Sequence, residues 1–237
     1  MNPSPALFAL RSGARDSSSA QEPQHDCALC PRLVNFRSEN QAKYPDWFNA
    51  PVPSFGPADA RLLIVGLAPG LKGANRTGRP FTGDYAGILL YETLLRYGFA
   101  NGTYAERVDD GLTLSDCRIT NAVRCLPPEN KPLPDEIASC RRYLSGVLSG
   151  MQNLNAILAL GKIAFDSAIR AAGLKPSQYK FGHGEAVDVA EGCKLFGSYH
   201  CSRYNTNTGR LTPAMFHSVF DQIAVYLGRT GNDARPA

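Results

Sequence analysis

The chain has 237 residues, 43% of them hydrophobic, and a mean hydropathy of −0.23. That supports a sizeable core in one large domain or two small ones and excludes a wholly disordered chain. A net charge of +4 and a pI of about 8.7 lean toward anionic partners without proving any. No apolar run reaches the ~18 residues of a membrane helix, and Pro5-Ala6-Leu7-Phe8-Ala9-Leu10 is too short for a secretory signal. A cytoplasmic protein is expected, in which the seven cysteines are core residues or metal ligands rather than disulfides.

Residues 1–26 are rich in Ser, Ala, Pro and Gln and read as a disordered tail, followed by a single domain over 27–228 and a loose tail over 229–237. The domain opens on Cys27-Ala28-Leu29-Cys30-Pro31, two cysteines spaced so that both can point at one metal site. Asn35 to Phe55 suggests a helix broken at Pro45 and then a proline-rich crossing.

The run Leu62 to Val65 is short enough for one buried strand. Beyond Gly66 comes a polar, glycine-rich loop that ends at Asp84, just before a helical apolar pattern through Leu95. A strand, a long loop and a helix are how an open α/β sheet builds a site beyond a strand's carboxyl end. Neither the dinucleotide fingerprint nor the Walker loop fits Gly66-Leu67-Ala68-Pro69-Gly70-Leu71-Lys72-Gly73, so a nucleotide polyphosphate is not the expected ligand. Asp84, directly before that helix, is suited to capping it, and Phe81 to packing in the core.

Asn101 to Asp116 reads as a polar connection, and Cys117 to Cys125 as a second strand carrying Asn121. An amide there serves either a loop backbone or a base edge, since it presents a donor and an acceptor side by side. A proline-stiffened loop then leads to a helix from about Asp135 to Met151, on which Ile137, Cys140, Leu144, Val147, Leu148 and Met151 share one face. Cys140 is either a core residue or, with Cys27, Cys30 and Cys125, the fourth thiolate of a C-x2-C…C-x14-C set. Four thiolates select zinc or an iron–sulfur cluster, and spacing does not choose between them.

Asn155 to Gly161 is a third strand, Lys162 to Ala172 a helix, and Gly184 to Tyr199 two short strands around Glu191-Gly192. A second polar loop, His200 to Arg210, precedes a helix capped by Thr212 and started by Pro213. Alternating strands and helices predict a three-layer α/β/α sandwich around a mostly parallel sheet.

Taken together, GLAPGLKGANRTGRPFTGD, TNAVRCLPP and HCSRYNTNTGRLTP, with the four spaced cysteines, resemble the family 5 (type B) uracil-DNA glycosylases from Cys27 to the final helix. The resemblance implies the glycosylase α/β/α fold, a [4Fe-4S] cluster on Cys27, Cys30, Cys125 and Cys140, and excision of uracil and other deaminated bases such as hypoxanthine and xanthine from double-stranded DNA. It implies that Gly66, Ala68 and Gly70 form the first active-site motif, with Ala68 where related families carry a polar residue. Phe81 then stacks on the flipped base, Asn121 reads its edge, Asp84 helps the water, and His200 is the motif histidine. The loop after His200 matches one that enters the duplex, and Cys201 stands where the family usually has proline.

Lys72, Arg76, Arg79, Arg203 and Arg210 are candidate phosphate contacts. The expected protein is a monomer whose partner is double-stranded DNA containing deaminated bases, in the cytoplasm and on the nucleoid through DNA. Two other readings stay open on the residues: a module that binds damaged or single-stranded DNA without cutting it, which Ala68 favours, and a redox sensor using the cluster with Cys117, Cys193 and Cys201.

Overall fold

The computed structural model of the chain describes residues 22–229. Residues 1–21 and 230–237, most of the two expected tails, lie outside that range. Five strands form the central sheet, in spatial order β4 (Cys117–Asn121), β1 (Leu62–Gly66), β5 (Ala156–Leu160), β7 (Cys193–Ser198) and β6 (Ala186–Ala190). Pairs β1–β4, β1–β5 and β5–β7 are parallel, and β6 runs antiparallel at the edge. The mostly parallel sheet is as expected.

Strand residues alternate between two cores. Leu62, Ile64, Ile119, Leu158 and Phe196 pack on one face with α3 (Tyr85–Arg96) and α7 (Pro213–Tyr226). Leu63, Val65, Ile157, Ala159 and Leu195 pack on the other with α4 (Pro134–Gly150) and α5 (Lys162–Ala171). Helices on both faces explain why β1 and β5 read as unbroken apolar runs. Four turns of α4 bury the stripe of Leu144, Val147 and Leu148, as the helical spacing predicts. Cys117 and Cys193 are sealed in these cores, which leaves them no surface on which to sense redox state. Among the described residues no helix is long and apolar enough to cross a membrane.

Several expected boundaries move. The first helix, α1, spans Pro31–Lys43, because Pro31 takes the first helical position directly after Cys30. The loop after β1 contains one helical turn, α2 (Ala74–Thr77). The stretch read as a polar connection includes a paired β2 (Ala100–Asn101) and β3 (Thr113–Leu114). The strand expected to reach Cys125 stops at Asn121, where its partner β1 ends at Gly66. Residues 22–26 belong to the stretch expected to be a tail, and Glu22 among them is anchored. Glu22 accepts hydrogen bonds from Arg124 Nη1 (2.8 Å), Arg118 Nη2 (3.2 Å) and Ser54 N (3.0 Å). Arg124 is fully buried, and this carboxylate supplies its counter-charge. At the other end Arg229 is also placed, donating to Gly98 O and lying over the ring of Phe99.

Candidate active site

The parallel strands deliver their carboxyl ends to one edge of the sheet, and a cavity of about 860 Å³ opens there. Its wall combines the loop after β1, the end of β4 and the loop after β7, including Ala68, Gly70, Lys72, Phe81, Asp84, Asn121, His200 and Arg203. Residues more than a hundred positions apart therefore meet, as an open α/β sheet requires.

Gly66 and Asn121 are partners in the β1–β4 register. A side chain at position 66 would overlap the Asn121 amide oxygen and press on the Phe81 ring, so glycine is needed for close approach. The amide oxygen of Asn121 is buried and has no hydrogen-bond partner among the described residues. A buried acceptor left open costs about 1–3 kcal/mol, which a ligand donor would recover. The structural-amide reading, in which Asn121 serves a loop backbone, gains no partner at this oxygen.

Phe81 is buried yet takes a left-handed backbone with φ of 56°. That is an outlier for an aromatic residue, at a cost of about 1–3 kcal/mol. Its ring and the His200 imidazole lie with centroids 5.9 Å apart, tilted by 30°. His200 keeps some surface at the cavity wall, but burial pushes its pKa down to about 4. The imidazole is therefore neutral at neutral pH and can donate one ring N–H.

Asp84 caps α3, with its side chain accepting from Gly87 N at 3.2 Å. Its other carboxylate oxygen sits where a Cβ at Gly73 would fall, so the glycine loop folds directly over the carboxylate. Burial raises the Asp84 pKa, and backbone N–H groups partly offset this. Asp84 is thus a cap that also faces the cavity.

The second polar loop is built by local capping. Ser202 accepts from Asn205 N at 3.4 Å and starts a short α6 (Arg203–Asn207), and the Asn205 amide returns to His200 O at 2.8 Å. Cys201 is fully buried and donates its S–H to Ala86 O at 3.3 Å, which ties the His200 loop to the start of α3.

Lys72, Arg76, Arg203 and Arg210 are exposed, with Arg203 over the Tyr85 ring and Arg210 over the Tyr199 ring at 4.9 and 4.8 Å. Arg79 does not join them. It is buried and ion-paired to Asp110 at 2.7 Å, so it is no phosphate contact. Glu106 also lines the cavity, at φ of 59°. Nothing in the spacing marks Glu106, because the segment that carries it is polar throughout.

Behind the loop lies a small pocket lined by Cys27, Cys30, Cys125 and Cys140 with Leu33 and Val123. Arg124 N donates to Cys140 Sγ at 3.3 Å, and Arg37 Nη1 lies 3.9 Å from Cys125 Sγ. Burial pushes the Cys125 and Cys140 thiols up to about 12 and about 11. Four thiols around an apolar pocket with N–H donors on two sulfurs fit a thiolate-ligated cluster. Among the described residues no group of three or more candidate ligands is gathered for a single ion. Ala68 lines the cavity and packs against the apolar cluster of Leu33, Val123, Cys140 and Tyr143, so it lies between the two sites.

A family model for the uracil DNA glycosylase superfamily matches residues 53–224. A type-5 uracil-DNA glycosylase of Thermus thermophilus is 44% identical over 199 residues, covering 81% of this chain and 90% of the relative. One of Pyrobaculum aerophilum is 39% identical over 207 residues, covering 86% and 90%. A type-4 uracil-DNA glycosylase of Thermotoga maritima is 35% identical over 148 residues, covering 62% and 67%.

Proposed function

Given that the chain belongs to the type-5 uracil-DNA glycosylases of the uracil-DNA glycosylase superfamily, enzymes that hydrolyse the bond between base and sugar, we propose that it acts on deaminated bases flipped from double-stranded DNA. A base within a duplex cannot be reached, and extruding it costs a few kcal/mol, about the least when it is mispaired. The flipped base then enters the cavity, stacks on Phe81 and meets Asn121.

The observation that carries this reading is the amide oxygen of Asn121 beside Phe81, buried and without a partner among the described residues. Uracil, hypoxanthine and xanthine all present a ring N–H next to a carbonyl, the pair that deamination leaves. One side-chain amide answers both groups, accepting from the N–H and donating to the carbonyl. This shared pair is why one site would accept all three bases.

Rupture at C1′ develops positive charge on the sugar and negative charge on the departing base. The neutral His200 donates its N–H toward the base, and stabilises the developing charge without needing a proton from solution. One such donor in a water-excluded site is worth about 3 kcal/mol. Ala68 offers no polar group to the water, so Asp84 is left to orient it as a secondary contribution. Lys72 and Arg203 at the cavity, with the exposed Arg76 and Arg210, meet phosphates, and the α6 loop enters the duplex.

The thiol pocket would hold a [4Fe-4S] cluster on Cys27, Cys30, Cys125 and Cys140. When bound, the cluster supplies iron–thiolate bonds that tie the N-terminal segment, the exit of β4 and α4 together.

The test is incubation with duplexes carrying uracil, hypoxanthine or xanthine at one position, followed by alkali. Strand breakage at all three positions supports the reading. Breakage at uracil alone would restrict it to that base. Retention of duplex without breakage would favour the binding module.

A further inference from the structure

We propose that Arg79 and Asp110 are positioning residues that hold Phe81 in its left-handed conformation, so that the segment 104–110 clamps the stacking ring from outside. This inference rests on the reading of Phe81 as the ring that meets the base.

Arg79 lies two residues before Phe81, and its guanidinium is buried with all three nitrogens hydrogen-bonded. Nε donates to Thr82 Oγ1 at 2.7 Å, Nη1 to Asp110 Oδ1 at 2.9 Å, and Nη2 to Asp110 Oδ2 and Arg107 O, both at 2.7 Å. The fork binds its carboxylate through two parallel bonds, a geometry that only arginine supplies. The rings of Phe55, Tyr91 and Tyr104 stand 5.3, 5.6 and 5.9 Å from the guanidinium carbon and wall it from water.

Bonds from the same groups converge on the backbone around the ring. Tyr91 Oη donates to Pro80 O at 2.6 Å, and Tyr104 Oη to Phe81 O at 3.1 Å. Thr82, held by Arg79, follows Phe81 directly. A left-handed aromatic residue persists only where its surroundings over-determine it, and here both flanking residues and its own carbonyl are tied. Asp110 also organises the clamp, accepting from Ala105 N and Leu112 N at 3.0 and 3.1 Å. Its carboxylate is held well below the ordinary range by the Arg79 hydrogen bonds, so the pair stays charged at any working pH.

The test is single-turnover excision from a uracil-containing duplex by Arg79→Lys, Asp110→Asn and Phe81→Ala, and by each of the first two combined with Phe81→Ala. The concentration at half-maximal rate and the melting temperature are measured alongside. A misplaced group costs on the order of 10- to 100-fold in rate. The expected result is that loss for Arg79→Lys and Asp110→Asn, unchanged half-maximal concentration, and no further loss from either in the Phe81→Ala background. Wild-type rates in the single variants, or the same fold-loss with Phe81 already removed, would overturn the inference. A wild-type rate for Phe81→Ala would instead refute the stacking role. Should Arg79→Lys not fold, Asp110→Asn, which keeps shape and removes charge, decides alone.

Discussion

Gly66 and Asn121 face each other across the first two parallel strands, with no room between them for a single methyl group. The amide proposed to read the base is therefore positioned by the lack of a side chain at Gly66. Gly66→Ala is expected to destabilise the fold by about 1–3 kcal/mol through overpacking. It should slow excision by about tenfold or more as the amide and the Phe81 ring shift. Melting curves with single-turnover rates check both; a full-rate Gly66→Ala enzyme would mean that the amide is not positioned by this contact.

His200 ties the stability of the fold to pH. An ordinary histidine has a pKa of 6.5, and here burial pushes it down to about 4. Lowering the folded-state value means that the unfolded chain takes up the proton first. The contribution to stability is intact above 6.5 and is lost as pH falls from 6.5 toward about 4. Above about pH 5 the imidazole stays neutral, so the rate of excision should show no histidine inflection between about pH 5 and 8. A titration near pH 6.5 that disappears in His200→Ala would show an imidazole that ionises during use.

Asp84 caps α3 and is proposed to orient the water, and one substitution separates the two. Asn caps a helix as well as Asp does, whereas loss of the cap costs about 1 kcal/mol. Asp84→Asn should keep the melting temperature within a few degrees, while Asp84→Ala lowers it. If Asp84 orients the water, both variants lose rate. If Asp84→Asn keeps full rate, the residue is a cap alone.

The thiol pocket makes a prediction of its own. Protein purified without oxygen should be brown and absorb near ~400 nm, and Cys125→Ser should lose the colour. Because Ala68 joins the pocket to the cavity, loss of the cluster should lower the melting temperature and weaken excision together. A colourless protein with stoichiometric zinc would replace the cluster with a different metal.

What the residues disclosed, and what they hid, follows from the range of the interactions. The run Leu62–Val65, the stripe on α4 and the cap at Asp84 are local patterns, and each stands where periodicity or capping chemistry puts it. The bond between Arg79 and Asp110 spans 31 positions and that between Arg124 and Glu22 spans 102, and no pattern along a chain pairs such charges. Arg79 thus reads as a surface cation among neighbours that are surface cations. Cys201 anchors its loop through the S–H bond to Ala86, a contact 115 positions apart that the sequence does not mark. Glu106 was missed because a left-handed residue in a polar segment has no compositional signature.

The central claim is that charge on the departing base, rather than activation of water, limits the reaction. The most direct measurement compares single-turnover excision of uracil by His200→Ala and Asp84→Asn on the same duplex. The account predicts a loss on the order of 10²- to 10³-fold for His200→Ala and a smaller one for Asp84→Asn. A larger loss for Asp84→Asn would contradict it and move the weight of catalysis to the water.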